Sequence, residues 1–172
     1  MGINVTDVHI AYSATDPTSG PQLPLGFEYT EPADGNDRGE KTWVYILVDE
    51  TLAIGDVVEV NGTTWASPYH GIQGNEDTPQ KRLLGVAGHV IAATSYGFVQ
   101  KSGYAPYIKG DGSIGAGDAL VAHTTGCADT LDTDQGDMVF GFALTDDATD
   151  AATALIVGHS VPVFAGMIKC GV

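Results

Sequence analysis

The sequence predicts an all-β protein: a small barrel or sandwich built from two approximate repeats, behind an extended N-terminal arm. Three observations lead there. Short apolar and β-branched runs bounded by Gly, Asp, Asn and Pro recur along the chain, with no helical stripe between them. Glycine supplies 23 of 172 residues, against a usual share of about 7%, which favours many turns. A turn-and-strand grammar also occurs twice in order, and internal repetition constrains a fold strongly.

Taken from the N-terminus, residues 1–25 carry too many breakers for a strand, among them Asp16, Pro17, Pro21 and Pro24, and are expected to form the arm. The compact domain is expected over 26–172. Strands at 26–30 and 42–48 flank a polar loop with an Asp34-Gly35 turn, the pattern of a hairpin. The second of these, Thr42-Trp-Val-Tyr-Ile-Leu-Val48, is apolar on both faces, which means burial on both sides or at a subunit contact. Trp43, Val44 and Ile46, with Tyr96 and Phe98, are therefore the candidate interface residues. Further strands are expected at 57–60, 83–91, 96–100, 119–122, 138–144, 154–157 and 161–165. A stretch with Pro68 and Pro79 near its ends, 67–79, reads as a long loop.

The repeats span 51–103 and 113–160. In the first, Leu52-Ala-Ile-Gly-Asp-Val-Val58 is followed by Leu83-Leu-Gly-Val-Ala87 and a return strand at Gly97-Phe-Val99. In the second, Ile114-Gly-Ala-Gly-Asp-Ala-Leu120 is followed by Val139-Phe-Gly-Phe-Ala143 and a return strand at Ala154-Leu-Ile-Val157. Gly55 and Gly117 would supply the turn conformation, while Asp56 and Asp118 would accept backbone N–H bonds there. Gly85 and Gly141 suggest a bulge or bend within a strand.

Seven Lys and Arg against 22 Asp and Glu leave a formal charge of −15. So few bases make nucleic acid an unsuitable partner, because affinity there comes from neutralising phosphates. No run approaches the roughly 18–20 apolar residues of a membrane helix, and the first residues lack a secretory signal, so synthesis in the cytoplasm and no membrane partner are expected. Gly2 and Thr6 fit a myristoylation pattern that is too short to weigh.

Catalytic and cofactor patterns fail on context. Gly110-Asp-Gly-Ser-Ile-Gly115 matches a dinucleotide fingerprint, but the residues after it form no helical stripe to face a pyrophosphate. The Asp-rich run 129–137 breaks the EF-hand register at Gly136 and Ala143, so a hairpin loop is the expected reading. Histidines 9, 70, 89, 123 and 159 show no zincin spacing. His159-Ser160 near Asp150 lacks a nucleophile elbow. Cys127 and Cys170 have no partner motif and read as free thiols. Neither catalytic residues nor cofactor is expected.

At Leu84-Gly-Val-Ala-Gly-His-Val-Ile-Ala-Ala-Thr-Ser-Tyr-Gly-Phe-Val-Gln-Lys-Ser-Gly103 the sequence resembles the capsid decoration, or cement, proteins of tailed bacteriophages. Their middle strands look like G-V-A … I-A-A-G-S-Y-G-W-V-Q-x-x-G. Pro24-Leu-Gly26, Leu52-Ala-Ile-Gly-Asp-Val-Val58, Gly115-Ala-Gly-Asp-Ala-Leu-Val121 and Gly141-Phe-Ala143 agree, so the resemblance runs in order from 24 to 145. Thr94 departs from it, standing where many relatives carry Gly, as do the 67–79 insertion and the long arm. The resemblance implies a structural virion protein on the outer capsid surface. It would bind the major capsid protein as a homotrimer and have no enzymatic activity. Alternatives from the residues alone are a tail- or fibre-associated module and a capsid-surface glycan-binding β protein. The acidity fits an outward position away from packaged DNA, and an arm that orders on binding would tie subunits or shell together.

Overall fold

The computed structural model describes residues 21–32, 39–62, 67–75, 82–131, 138–146 and 163–169. They form ten strands: β1 (Glu28–Glu31), β2 (Lys41–Val48), β3 (Val57–Val60), β4 (His70–Gln73), β5 (Leu83–Ala87), β6 (Ser95–Lys109), β7 (Ala119–Ala122), β8 (Ala128–Thr130), β9 (Gly141–Ala143) and β10 (Val163–Lys169). Among the described residues there is no α-helix, only a single 3-10 turn at Thr124–Gly126. The fold is all-β and sandwich-like.

The two Gly-Asp turns make the same set of hydrogen bonds. In the first, Gly55 N donates to Ala87 O at 2.8 Å and Ala87 N to Asp56 O at 2.9 Å, while Ala53 N donates to Asp56 Oδ2 at 2.8 Å. In the second, Gly117 N donates to Ala143 O and Ala143 N to Asp118 O, both at 2.9 Å, and Gly115 N donates to Asp118 Oδ2 at 2.8 Å. Both glycines sit at positive φ, +86° and +94°, where a residue with a Cβ is disfavoured.

Register extends the equivalence. Val57 pairs with Val86 and Val58 with Gly85, as Ala119 pairs with Phe142 and Leu120 with Gly141. Sheet order β1-β2-β4-β3-β5-β6-β10-β9-β7-β8 is thus two copies of one series, β4-β3-β5-β6 and β8-β7-β9-β10, set back to back and joined by the β6–β10 ladder.

Each copy also has a fifth strand. In the first it is β2, antiparallel to β6 through Val44 and Val99 and parallel to β4 through only two residue pairs. In the second it is the far half of β6, antiparallel to β10 through Ala105 and Gly166. There the parallel contact with β8 is one bridge, Gly110 to Ala128. Asp49 N to Gly71 O at 2.9 Å and Asp111 N to Ala128 O at 3.1 Å mark the same point in each. Strand β6 is long because it closes one repeat and opens the next. Such short parallel closures leave the architecture sandwich-like rather than a regular barrel.

The core follows this division. Val44, Ile46, Val58, Leu84 and Val99 pack inside the first copy, and Ala105, Ile108, Leu120, Phe140 and Ala143 inside the second. A third cluster of Trp43, Tyr45 and Phe98 lies on the outer face of β2 and β6, beneath Leu23, Leu25 and Phe27.

Several expected boundaries shift. The 67–79 loop contains β4, which the sequence hides because His70-Gly-Ile-Gln73 has one large apolar residue to show. The 83–91 strand stops at Ala87, and Ile91 instead bridges Leu52. The 96–100 strand continues to Lys109, past Lys101 and Ser102, because its second half changes partner from β2 to β10. The 138–144 strand shortens to β9, the strand expected at 161–165 runs on to Lys169 as β10, its first two residues lying outside the described ones, and β8 was not expected. The strand paired with β9 in the second copy is β10; the expected return strand at 154–157 lies outside the described residues, as does the arm over 1–20. Gly85 is explained by close approach: a Cβ there would lie 2.3 Å from Gln100 O.

Candidate interaction surfaces

Four of the five candidate interface residues are spent inside the chain. Val44 and Ile46 enter the first core, and Trp43 and Phe98 enter the aromatic cluster; all four are buried. Strand β2 is apolar on both faces because both faces are internal, one against β3, β5 and β6 and the other beneath 21–29. Trp43 Nε1 donates to Glu31 Oε2 at 3.0 Å, which ties the cover strand β1 to β2. Tyr96 alone is half-buried, stacked on Tyr45 with ring centroids 6.0 Å apart. As placed, Trp43, Val44, Ile46 and Phe98 form an internal seam and offer no surface to a partner.

Between the copies lies a polar joint. Asp56, fully buried, accepts from Gln73 Nε2 at 2.8 Å and Lys109 Nζ at 3.1 Å besides the turn amide. Lys109 Nζ also donates to Thr125 O at 2.9 Å. Each polar group of this joint thus has a partner, as burial demands. Nearby, the Tyr107 hydroxyl donates to Gln100 Oε1, and burial, with the Glu31 charge second, pushes its pKa far up.

A shallow cavity of about 210 Å³ is bordered by Glu28, Val44, Tyr69, Arg82, Leu84 and Lys101. Its cations are already engaged: Lys101 Nζ lies 2.6 Å from Glu28 Oε1, and Arg82 donates to Pro68 O while its guanidinium covers the Tyr69 ring. Sites for drug-sized ligands start near 300 Å³.

Among the described residues, titratable groups give no reactive cluster. Among the described residues no three His, Cys, Asp or Glu could share a metal ion. His70 Nδ1 is 3.3 Å from Asp49 Oδ2. His89 lies in a bend; both ring nitrogens are buried without a partner, and burial lowers its pKa to about 4. Cys127 is free and buried; burial raises its pKa, which makes it inert rather than nucleophilic. The Gly110–Gly115 stretch leads into a turn and β7, not a helix. The Asp-rich residues 132–137, His159, Ser160 and Cys170 lie outside the described residues.

The most distinctive surface is one the sequence reading missed. Leu131, Met138, Val139, Phe142 and Leu144 are all exposed, Phe142 by 55%. Leu131, Ala119 and Phe142 lie in one row across β8, β7 and β9, fixed by the Leu131 N to Ala119 O bond at 2.9 Å and the Ala119–Phe142 pair. The equivalent row of the first copy is Gly74, Val57 and Val86, with Gly74 N bonded to Val57 O at 2.8 Å. There Val57 and Val86 are 0% exposed. They join Leu83, the equivalent of Val139, in the core of the second copy. One repeat buries this face against its neighbour, while among the described residues nothing covers the other. Aligning Val57, Leu83 and Val86 with Ala119, Val139 and Phe142 would have flagged it.

No protein-family model matches the sequence, and no curated protein matches it. Among solved structures, the head fiber gp8.5 N base of bacteriophage phi29 is similar at 13% identity, with a TM-score of 0.48 over 75% of this chain and 94% of that one. That likeness is too slight to transfer a role.

Proposed function

We propose that this chain is a structural protein of a tailed-phage virion, bound to the outside of the head and stabilising the mature shell. In this reading it is made in the host cytoplasm, acts as a homotrimer, has the major capsid protein as its partner and performs no catalysis. The observation that carries the proposal is the ordered resemblance over 24–145. Its segments are the working parts of the fold: the Gly55-Asp56 and Gly117-Asp118 turns, the β5–β6 connection and β9. The shared residues are therefore those that build the paired repeats, rather than scattered β composition. A formal charge of −15 supports an outward position, because a surface so acidic is repelled by packaged DNA.

The test is reconstitution. Purified protein is added to mature, DNA-filled heads that lack it, and bound particles are imaged by cryo-electron microscopy and heated in parallel. Density on the shell lattice with increased resistance to heat or chelation is expected. Density confined to the tail, or no binding to heads, overturns the proposal.

A further inference from the structure

We propose that the open face of the second repeat, centred on Val139 and Phe142, is a docking site for a basic protein segment that carries apolar side chains between its lysines or arginines. The inference goes beyond the virion reading and does not depend on it.

Two observations carry it. The first is the inequality between the repeats. Val57, Leu83 and Val86 are 0–3% exposed because the second copy packs over them, whereas Val139 and Phe142, at the positions of Leu83 and Val86, are 38% and 55% exposed. In stacked repeats the terminal unit normally turns a polar face outward. Here that unit keeps apolar residues at the positions used for stacking and adds the exposed Leu131 and Leu144. A contiguous exposed apolar surface with a polar rim marks an interaction site.

The second observation is charge, and it selects the occupant. Residues 110–168 contain nine aspartates and no lysine or arginine. Three of these frame the face: Asp118 adjoins Ala119, Asp129 lies two residues before Leu131, and Asp146 two residues after Leu144. Each carboxylate takes a backbone bond, Asp118 from Gly115 N, Asp129 from Thr130 N and Asp146 from Ala116 N. Those bonds fix their positions without neutralising them. A second copy of a chain at −15 would bring like charge to that rim, and like-charge juxtaposition disfavours docking. A basic segment gains from both parts of the surface, its apolar side chains on Phe142 and its cations on the aspartates.

The probe is a fluorescent twelve-residue peptide of alternating lysine and leucine, titrated into the full chain by anisotropy and by amide chemical shifts. Oligolysine of equal charge and an alternating glutamate–leucine peptide are the controls. The lysine–leucine peptide should bind about tenfold more tightly than oligolysine, with shifts concentrated on residues 119, 131 and 139–144. The double variant V139S/F142S, changed at exposed positions, should fold normally and lose that tenfold advantage. D129N/D146N, which keeps an oxygen for each backbone bond, should weaken binding severalfold and flatten its salt dependence. Three results each overturn the proposal: equal binding of lysine–leucine peptide and oligolysine, binding unaffected by V139S/F142S, or a self-associated form in sedimentation equilibrium that V139S/F142S dissolves.

Discussion

Asp56 and Asp118 make the same turn bond in different surroundings, so replacing each by alanine separates what the turn needs from what the joint between repeats needs. Asp118→Ala removes the 2.8 Å bond from Gly115 N. Its side chain is only partly buried, so water takes over the amide and the cost is about 1 kcal/mol. Asp56→Ala removes the matching bond from Ala53 N and also takes an acceptor from Gln73 Nε2 and Lys109 Nζ, leaving the ammonium only Thr125 O. Asp56 is 0% exposed on its side chain and Lys109 14%, so the ammonium loses its counter-charge in a largely buried site. Removing one partner of such a pair costs about 3–5 kcal/mol. The two variants should therefore differ by about 3 kcal/mol, roughly 1.5 M in urea midpoint at a slope near 2 kcal/mol/M. Asp56→Asn, which keeps an acceptor but drops the charge, should fall between them. The assay is urea unfolding at neutral pH, followed by tryptophan fluorescence and far-UV circular dichroism. Equal costs for Asp56→Ala and Asp118→Ala would refute the assignment of Asp56 as the bond between the repeats.

The remaining predictions use backbone strain and protonation. Thr94 holds φ at +60° while exposed, a conformation that is costly for a β-branched residue. Thr94→Gly should raise stability by about 0.5–1 kcal/mol after the entropy cost of glycine, seen as a melting point about 1–3 °C higher; an unchanged or lower value counts against the strain. Gly117→Ala should cost only about 1–2 kcal/mol, the left-handed penalty alone, because nothing lies within 4 Å of its Cβ. Gly55→Ala would place that atom 2.2 Å from Tyr107 O and should prevent folding, so a stable, soluble Gly55→Ala would show that β6 can move away. His89, lowered to about 4 in the fold by burial, takes a proton in the unfolded chain near 6.5. Its contribution should leave stability unaffected above 6.5, erode it as pH falls from 6.5 towards 4, and then level off. His89→Leu should be less pH-dependent than the parent across that window; identical slopes would place the ring in water.

Much of this fold is written in local chemistry. The glycine at positive φ and the aspartate that bonds back three residues were readable at 52–58 and 114–120, because both requirements act within one turn. The alternation in Leu83-Leu-Gly-Val-Ala87 and Val139-Phe-Gly-Phe-Ala143 also marks residues of alternate facing, with Leu84 and Phe140 in their own cores. Hidden were the elements whose order comes from partners. Strand β4 has one large apolar residue and is held by β2 and β3, and β8 is three residues long, attached to β7. Both are ordered through ladders that no local pattern announces. Thr94 is an intermediate case. Its departure from the glycine of the resembled family was visible in the sequence, but the positive φ that gives the departure a cost was not.

The apolar strand β2 and the open face on β9 show why a candidate surface was harder to read than a fold. In sequence, Trp43-Val-Tyr-Ile is the stronger apolar signal, with both faces lined by large side chains, and a contact between subunits was a fair expectation. That signal reports the number of faces that must be covered, not the molecule that covers them, and residues 21–29 of the same chain cover the second one. The face around Phe142 gives a weaker signal, since a single alternating strand ordinarily turns those positions inward. Its exposure emerges only by comparison with Val86, where the same place in the same grammar is 0% exposed. Duplication with a shared β6 forces this asymmetry. Two copies joined through one strand have one mutual contact, so the stacking face of the first is used and, among the described residues, that of the second is left uncovered. Retaining Val139 and Phe142 there, among aspartates that would keep the chain soluble with polar residues in their place, is what singles out the leftover face as a place for something else to bind.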